Sequence, residues 1–236
     1  MSDCFSSNML IRAVIFDLDG TLLDTLADLA VAGNQALTGN GLLPQPTDDY
    51  RLLIGSGARN LMRQAAAAAC GLPPEQIADD LTEQLLKDFN QAYNQNWDDQ
   101  TKPYFGILEL LNSLQLAGIK MAVLSNKPDH FTQKIVSRYF PAGIFSQVAG
   151  KLDNWPIKPD PSLALEICRL LGVSPDQTAM IGDSGSDMMT ACRAGMVPIG
   201  VLWGFRSADE LNAGGAKWLA ENPLQLKMVL SGGETR

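Results

Sequence analysis

Short apolar runs alternate with segments of helical periodicity along the second half of the chain. Together with an apolar run near the N-terminus, they predict strands over residues 10–16, 119–124, 145–149, 178–181 and 197–202. The amphipathic segments predict helices over residues 106–117, 129–139, 162–171, 186–194, 207–212 and 223–230. Strands that alternate with short helices are typical of a parallel sheet that is covered by helices on both faces.

Residues 24–98 break this alternation, because their apolar positions have helical spacing throughout and they contain no convincing strand. The spacing predicts helical segments over residues 25–38, 47–70 and 75–96, the second of them interrupted at residues 55–57. The pattern therefore predicts an α/β fold with a doubly wound parallel sheet. In this prediction, residues 1–23 and 99–236 form the core, and an all-helical domain, residues 24–98, is inserted after the first strand.

The amino-acid composition is consistent with this predicted fold and argues against several classes of protein. Hydrophobic residues make up 46% of the 236-residue chain and charged residues 19%, as in ordinary globular proteins. The net charge of −8 argues against a nucleic-acid partner, and four cysteines with one histidine form no zinc pattern. We expect no membrane span, and no signal peptide in residues 1–9. The expectation is a cytoplasmic protein, either a monomer or a homodimer.

Two carboxylates, Asp17 and Asp19, follow the first predicted strand on a turn that contains Gly20. Alternate residues of an extended segment point in the same direction, so both carboxylates can face one site. Such a pair suits two kinds of chemistry. The carboxylates can bind a hard cation through oxygen, or one can attack a substrate while the other transfers protons.

Polar residues also follow other predicted strands of the core. In open α/β sheets, ligands bind at the carboxyl ends of the strands, so these residues are expected to converge on one site. The residues concerned are Asp17 and Asp19, Ser125 with Asn126 and Lys127, Asp183 with Asp187, and Lys158 in the loop before a predicted helix.

Phosphoryl transfer is the chemistry that this set of residues suits, because it depends on positioning and on stabilisation of charge over phosphoryl oxygens. We expect Asp17 and Asp183 to hold Mg²⁺, and Lys158 to pair with the phosphoryl group and the nucleophile. Ser125 would donate its hydroxyl to the phosphoryl group. Asp17 would attack phosphorus, and Asp19 would protonate the leaving oxygen and then activate water.

Four segments at these positions resemble the four motifs of the haloacid dehalogenase superfamily, in the order found in that family. They are Asp17-Leu18-Asp19-Gly20-Thr21-Leu22, Ser125-Asn126-Lys127-Pro128, Lys158-Pro159-Asp160-Pro161 and Gly182-Asp183-Ser184-Gly185-Ser186-Asp187. The resemblance implies a Rossmann-like core with a helical cap and an aspartyl-phosphate intermediate on Asp17. It also implies Mg²⁺ bound by Asp17, the Asp19 carbonyl and Asp183, with Asp187 as a supporting acidic residue. An aspartate at position 19 resembles phosphatases and phosphomutases rather than dehalogenases.

Within the superfamily, the chain is most similar to the phosphoglycolate phosphatases. The similarity includes a cap segment from Ile54 to Leu61 and the tail from Val201 to Arg206. Glycines in the cap segment would let backbone approach a ligand. The candidate substrate-binding residues are Thr21, Gly55, Ser56, Gly57, Arg59, Asn126 and Lys127.

The leading hypothesis is a magnesium-dependent phosphomonoester hydrolase whose partner is a small phosphorylated metabolite, 2-phosphoglycolate or a similar compound. A phosphomutase resembling β-phosphoglucomutase, or a pyrophosphatase, would use the same four motifs. A non-catalytic phospho-acceptor module of the response-regulator type would also use an acidic cluster, a hydroxyl and a lysine. The helical insert argues against that module, because a signalling domain needs no lid.

Overall fold

The computed structural model describes residues 10–232. The predicted absence of a signal peptide concerns residues 1–9, which lie outside the described residues. In chain order the strands are β1 (Ala13–Phe16), β2 (Leu23–Asp24), β3 (Lys102–Pro103), β4 (Lys120–Pro128), β5 (Gln147–Lys151), β6 (Thr178–Gly182), β7 (Val197–Val201) and β8 (Trp218–Ala220). The helices are α1 (Leu26–Gly39), α2 (Tyr50–Leu53), α3 (Ala58–Cys70), α4 (Asp79–Asn96), α5 (Ile107–Leu116), α6 (Asp129–Tyr139), α7 (Ser162–Leu171), α8 (Gly185–Ala194), α9 (Ala208–Ala213) and α10 (Pro223–Leu230).

Six strands form one parallel sheet in the order β5-β4-β1-β6-β7-β8. The central strand β1 is buried on both faces. Its residues Ala13 and Ile15 pack in the cluster that contains apolar residues of α7 and α8. Val14 and Phe16 point to the opposite face and pack with residues of α5, α6 and α10. The predicted doubly wound α/β core is therefore confirmed.

The helices α1 to α4 lie between β2 and β3, and we refer to residues 26–96 as the helical insert. The strands β2 and β3 pair antiparallel, so the two chain segments that enter and leave the insert run side by side. The buried Asp28 carboxylate fixes the second segment by accepting hydrogen bonds from the backbone N–H groups of Gln100 and Thr101 and from the Thr101 hydroxyl. Within residues 10–232, no helix has the length and apolar character needed to cross a bilayer.

Three features of the fold were not predicted. The edge strand β8 has only three residues, and each strand of the β2–β3 pair has two, so neither carries a readable alternation of apolar and polar positions. In addition, β4 extends to Pro128, and its pairing with β5 is irregular between Leu124 and Pro128. This irregular end places Ser125, Asn126 and Lys127 at the carboxyl edge of the sheet.

Candidate active site

A cavity lies between the helical insert and the carboxyl ends of the central strands. Its core side is lined by residues that follow β1 and β6, by the irregular end of β4, and by Lys158. The insert contributes mostly apolar side chains. The lining residues that matter below are Asp17, Asp19, Ser125, Asn126, Lys127, Lys158 and Asp183 from the core, and Ile54, Gly55, Gly57, Leu61, Phe89 and Tyr93 from the insert.

Lys158 is buried and forms ion pairs with two carboxylates at the floor of the cavity. Its ammonium nitrogen Nζ lies 2.8 Å from Asp17 Oδ1 and 2.7 Å from Asp187 Oδ1, and it donates to the Leu124 carbonyl at 3.0 Å. Burial alone would lower the pKa of Lys158, but the two carboxylates more than offset this effect and raise it. Lys158 is therefore a fixed positive charge beside Asp17.

Three buried carboxylates surround this single ammonium group. One oxygen each from Asp17, Asp183 and Asp187 lie within 4.8 Å of one another. Burial raises the pKa of Asp17 to about 7, against the opposing effect of Lys158. Burial, together with the neighbouring carboxylates of Asp17 and Asp187, also raises the pKa of Asp183 well above its usual range. The cluster has an excess of negative charge when it is ionised.

This donor set fits a magnesium ion, because Mg²⁺ prefers carboxylate oxygens and its charge would offset the excess. Asp183 forms no ion pair within the described part of the chain. Its carboxylate is oriented instead by the Phe205 N–H, at 2.7 Å from Oδ2, and by the Thr21 hydroxyl, at 3.4 Å from Oδ1. The Asp187 carboxylate accepts from Lys158 through Oδ1 and from the Ser184 N–H and hydroxyl through Oδ2. Both oxygens of Asp187 are therefore engaged, one by Lys158 and one by the first turn of α8.

Asp19 is held by Lys127 at the side of the cavity nearest the insert. The Lys127 ammonium lies 3.0 Å from both oxygens of the Asp19 carboxylate. It also lies 4.7 Å from the centroid of the Tyr93 ring on α4. Gly20 permits the turn between Asp19 and the next segment, since its φ is +83° and a Cβ atom there would lie 2.2 Å from Asp183 Oδ2.

Ser125 and Asn126 follow the regular part of β4 and are buried. The Ser125 side chain lines the cavity, and its Oγ accepts a hydrogen bond from the Lys127 N–H at 3.2 Å. The Asn126 amide group joins three segments of the chain. It donates to the carbonyls of Gly55 and Lys158 and accepts from the Lys158 N–H at 2.9 Å. Asn126 thus fixes the backbone of Lys158 and contacts the insert.

The predicted substrate-binding residues separate into two groups. Gly55, Gly57, Asn126 and Lys127 lie at the cavity, and both glycines have a positive φ. The other three are not brought to it. Thr21 is fully buried against Asp183, Ser56 is exposed on a neighbouring groove, and Arg59 is on the outer face of the insert. The Arg59 guanidinium turns outward because Glu83 and Asp79 on α4 accept from it at 2.6 and 3.0 Å.

Several cavity residues were missed as candidates. Phe89 and Tyr93 stack with ring centroids 5.7 Å apart, and Phe131 packs edge-on against Tyr93. Their helical spacing is the ordinary signal for core residues, and nothing in the sequence distinguishes a cavity wall from a core. The contact between the Phe205 N–H and Asp183 was also not predicted, because every residue except proline has a backbone N–H.

Comparison with known proteins agrees with this geometry. Residues 14–201 match the family model described as haloacid dehalogenase-like hydrolase. A phosphoglycolate phosphatase of Psychrobacter arcticus is 35% identical over 85% of this chain and 87% of its own length. A phosphoglycolate phosphatase of Pseudomonas putida is also 35% identical, over 86% of this chain and 73% of its own.

A solved structure from Lactobacillus delbrueckii subsp. bulgaricus superposes with a TM-score of 0.88 and 34% identity, covering 94% of this chain and 99% of that one. The predicted family, the fold class and the prediction of a phosphatase are thus confirmed. The chain belongs to the haloacid dehalogenase-like hydrolase family.

Proposed function

We propose that this phosphatase hydrolyses small phosphate monoesters with Mg²⁺ through an aspartyl phosphate on Asp17, and that 2-phosphoglycolate is its substrate. The observation that carries the proposal is the buried contact of 2.8 Å between Lys158 and Asp17 within a cluster of carboxylates. The relatives that are named phosphoglycolate phosphatase support the choice of substrate.

Asp17 is the proposed nucleophile. Its Oδ1 forms an ion pair with Lys158 at 2.8 Å and accepts a hydrogen bond from the Leu18 N–H at 2.7 Å, and these contacts fix the orientation of the carboxylate. Its Oδ2 accepts no hydrogen bond within residues 10–232. A carboxylate oxygen would form a bond to phosphorus as the bond between phosphorus and the ester oxygen breaks. Lys158 would remain beside the phosphoryl oxygens and stabilise their negative charge.

Asp19 is the proposed general acid and base. In the first step it would give a proton to the departing ester oxygen, so that the product leaves as an alcohol. In the second step it would take a proton from the water that attacks the phosphorus of the aspartyl phosphate. Lys127 holds both oxygens of Asp19 at 3.0 Å and so keeps the carboxylate at the edge of the cavity, beside the substrate.

We infer that Asp17, Asp183 and the carbonyl of Asp19 hold Mg²⁺. When bound, the ion supplies positive charge that offsets the carboxylates and the phosphoryl oxygens. Asp187 and Asn126 support the site indirectly by fixing the side chain and the backbone of Lys158.

The helical insert is the proposed cap. Its apolar residues Leu61 and Phe89 line the cavity opposite the carboxylates, so a closed insert excludes water from the aspartyl phosphate. The domain boundaries at residues 24 and 98 belong to this proposal. The antiparallel pair β2–β3 is the proposed hinge, because both connecting segments pass through it.

The test is phosphate release from a panel of esters that includes 2-phosphoglycolate and sugar phosphates, with Mg²⁺ and with a chelator. We expect Mg²⁺-dependent turnover that is fastest on 2-phosphoglycolate. The Asp17→Asn variant should lose turnover while keeping the wild-type circular dichroism spectrum. The Asp176→Asn variant, at the amino end of β6 and away from the cavity, is the matched control. Isomerised sugar phosphate without phosphate release would instead identify a phosphomutase.

A further inference from the structure

The loop after β7 contacts the proposed metal ligand directly. We call residues 203–206 the latch loop. The Phe205 N–H donates to Asp183 Oδ2 at 2.7 Å, and the Trp203 indole N–H donates to the Thr21 carbonyl at 3.0 Å. At Gly204, a Cβ atom would lie 2.3 Å from the Cβ of Asp183, so the loop backbone leaves no space beside that residue. The position of the loop therefore sets the position of the Asp183 carboxylate.

The last residue of the latch loop, Arg206, extends its side chain to the helical insert. Its guanidinium donates to the carbonyls of Arg51, Leu52 and Ile54, the last two at 3.0 and 2.8 Å. These carbonyls lie at the end of the short helix α2, where backbone acceptors have no partner within the helix. A planar guanidinium with several donors suits such a cluster, and the Arg206 side chain is only 12% exposed.

Further contacts join the latch loop to the insert and to the core. Arg51 of the insert donates back to the Gly204 carbonyl at 3.3 Å, and its guanidinium lies 5.9 Å from the centroid of the Phe205 ring. From the core, Glu210 lies 3.4 Å from Nε of Arg206. The insert and the latch loop, which holds Asp183, thus each donate hydrogen bonds to the backbone of the other.

We propose that Arg206 is a positioning residue that couples the position of the helical insert to the orientation of Asp183. The segment that it binds continues directly into Gly55 and Gly57, which line the cavity. When the insert lies over the cavity, the three carbonyls bind Arg206, and the latch loop holds the Phe205 N–H against Asp183. When the insert moves away, Arg206 loses these partners and the loop loses its support. This inference rests on the proposed function, because it assumes that Asp183 serves the phosphatase site.

The test compares Arg206→Met and Arg206→Lys with the wild type and with the control Arg169→Met, an exposed core arginine that pairs with Glu166. Hydrogen exchange of residues 50–57 is measured without ligand, Mg²⁺ binding is measured by calorimetry, and phosphate-ester kinetics are measured in parallel. In Arg206→Met we expect faster exchange at residues 50–57 and unchanged exchange in the sheet. We also expect Mg²⁺ binding to weaken about tenfold or more, as for other groups that orient a metal ligand.

In the kinetics, Arg206→Met should lower kcat/KM by up to about 100-fold, the loss that a misplacement of about 1 Å can cause. Arg206→Lys keeps the charge and part of the hydrogen bonding, so it should recover part of each loss, and Arg169→Met should match the wild type. Wild-type exchange and Mg²⁺ binding in Arg206→Met would overturn the proposal. If the wild type hydrolyses no ester, the proposed function fails, whereas exchange and calorimetry still decide whether Arg206 couples the insert to Asp183.

Discussion

Lys158 Nζ lies 2.8 Å from Asp17 Oδ1, and both residues are buried at the floor of the cavity. The same ammonium nitrogen lies 2.7 Å from Asp187 Oδ1. One positive charge therefore pairs with two of the three clustered carboxylates, and the third belongs to Asp183. Most consequences of the proposed mechanism follow from this arrangement.

Replacing Lys158 by Met should reduce kcat by about 100- to 1,000-fold, the loss expected when one charge-stabilising group is removed. The variant should also be less stable by about 3–5 kcal/mol, because carboxylates are left buried without their partner. Steady-state kinetics and urea unfolding measure the two effects. A stable variant with wild-type kcat would show that Lys158 has no part in the reaction.

Replacing Asp183 by Asn should weaken metal binding and at the same time stabilise the metal-free protein. The asparagine oxygen can still accept the Phe205 N–H, while one negative charge leaves the cluster. In a chelator, the variant should unfold at a higher temperature than the wild type, by about 2–4 °C for each kcal/mol of relieved repulsion. It should also need much more Mg²⁺ for half-maximal activity. Thermal unfolding and a Mg²⁺ titration test this, and a lower melting temperature with an unchanged Mg²⁺ requirement would contradict it.

The stability of the metal-free protein should fall as the pH rises from about 4 to 7. In the folded protein the pKa of Asp17 is raised to about 7 and that of Asp183 is raised well above 3.8. A raised carboxyl pKa favours folding below the unfolded-state pKa, and the benefit is lost as the pH approaches the folded-state pKa. The free energy of unfolding should fall by about 1.4 kcal/mol per pH unit for each carboxyl group that is protonated in the folded state and ionised in the unfolded state.

Added Mg²⁺ should reduce this dependence, because the ion competes with protons for the same oxygens. Urea unfolding at a series of pH values, with a chelator and with Mg²⁺, is the measurement. A metal-free stability that rises over this pH range would show that the carboxylate cluster does not control it.

Replacing Lys127 by Met should affect substrates according to their leaving groups. Lys127 contacts both oxygens of Asp19, and its loss should misplace the general acid. The p-nitrophenolate group can leave without being protonated, whereas an alkoxide needs a proton from the general acid. Loss of Lys127 should therefore slow the first step mainly for alkyl phosphates. We expect kcat/KM to fall about tenfold or more further for 2-phosphoglycolate than for p-nitrophenyl phosphate, within the range of general acid catalysis. Equal losses on both substrates would exclude this role.

The sequence was sufficient to predict the core and the convergence of its polar residues. The buried strands β1 and β6 are continuous apolar runs, and the residues that follow them meet because parallel strands end at one edge of the sheet. Asp17 and Asp183 were therefore predictable from local signals combined with one rule of topology, whereas Lys158 lies in a loop and was predicted from the resemblance of its segment to a family motif.

Residues of the helical insert could not be assigned in the same way. Arg59 stands next to the glycine segment in the sequence, but its long side chain pairs with acidic residues of α4, a contact between distant segments. Arg206 lies far from the insert in the sequence and yet donates to its backbone carbonyls. Backbone carbonyls occur at every residue, so no sequence pattern distinguishes the ones that a guanidinium binds.

The stereochemistry at phosphorus shows whether the reaction passes through an aspartyl phosphate on Asp17. A phosphate ester whose phosphorus is made chiral with isotopes of oxygen and with sulfur would be hydrolysed by the enzyme and the product configuration determined. Two successive in-line displacements, first by Asp17 and then by water, each invert the configuration at phosphorus, so we expect net retention. Net inversion would mean that water attacks the ester directly, and it would contradict the proposed role of Asp17.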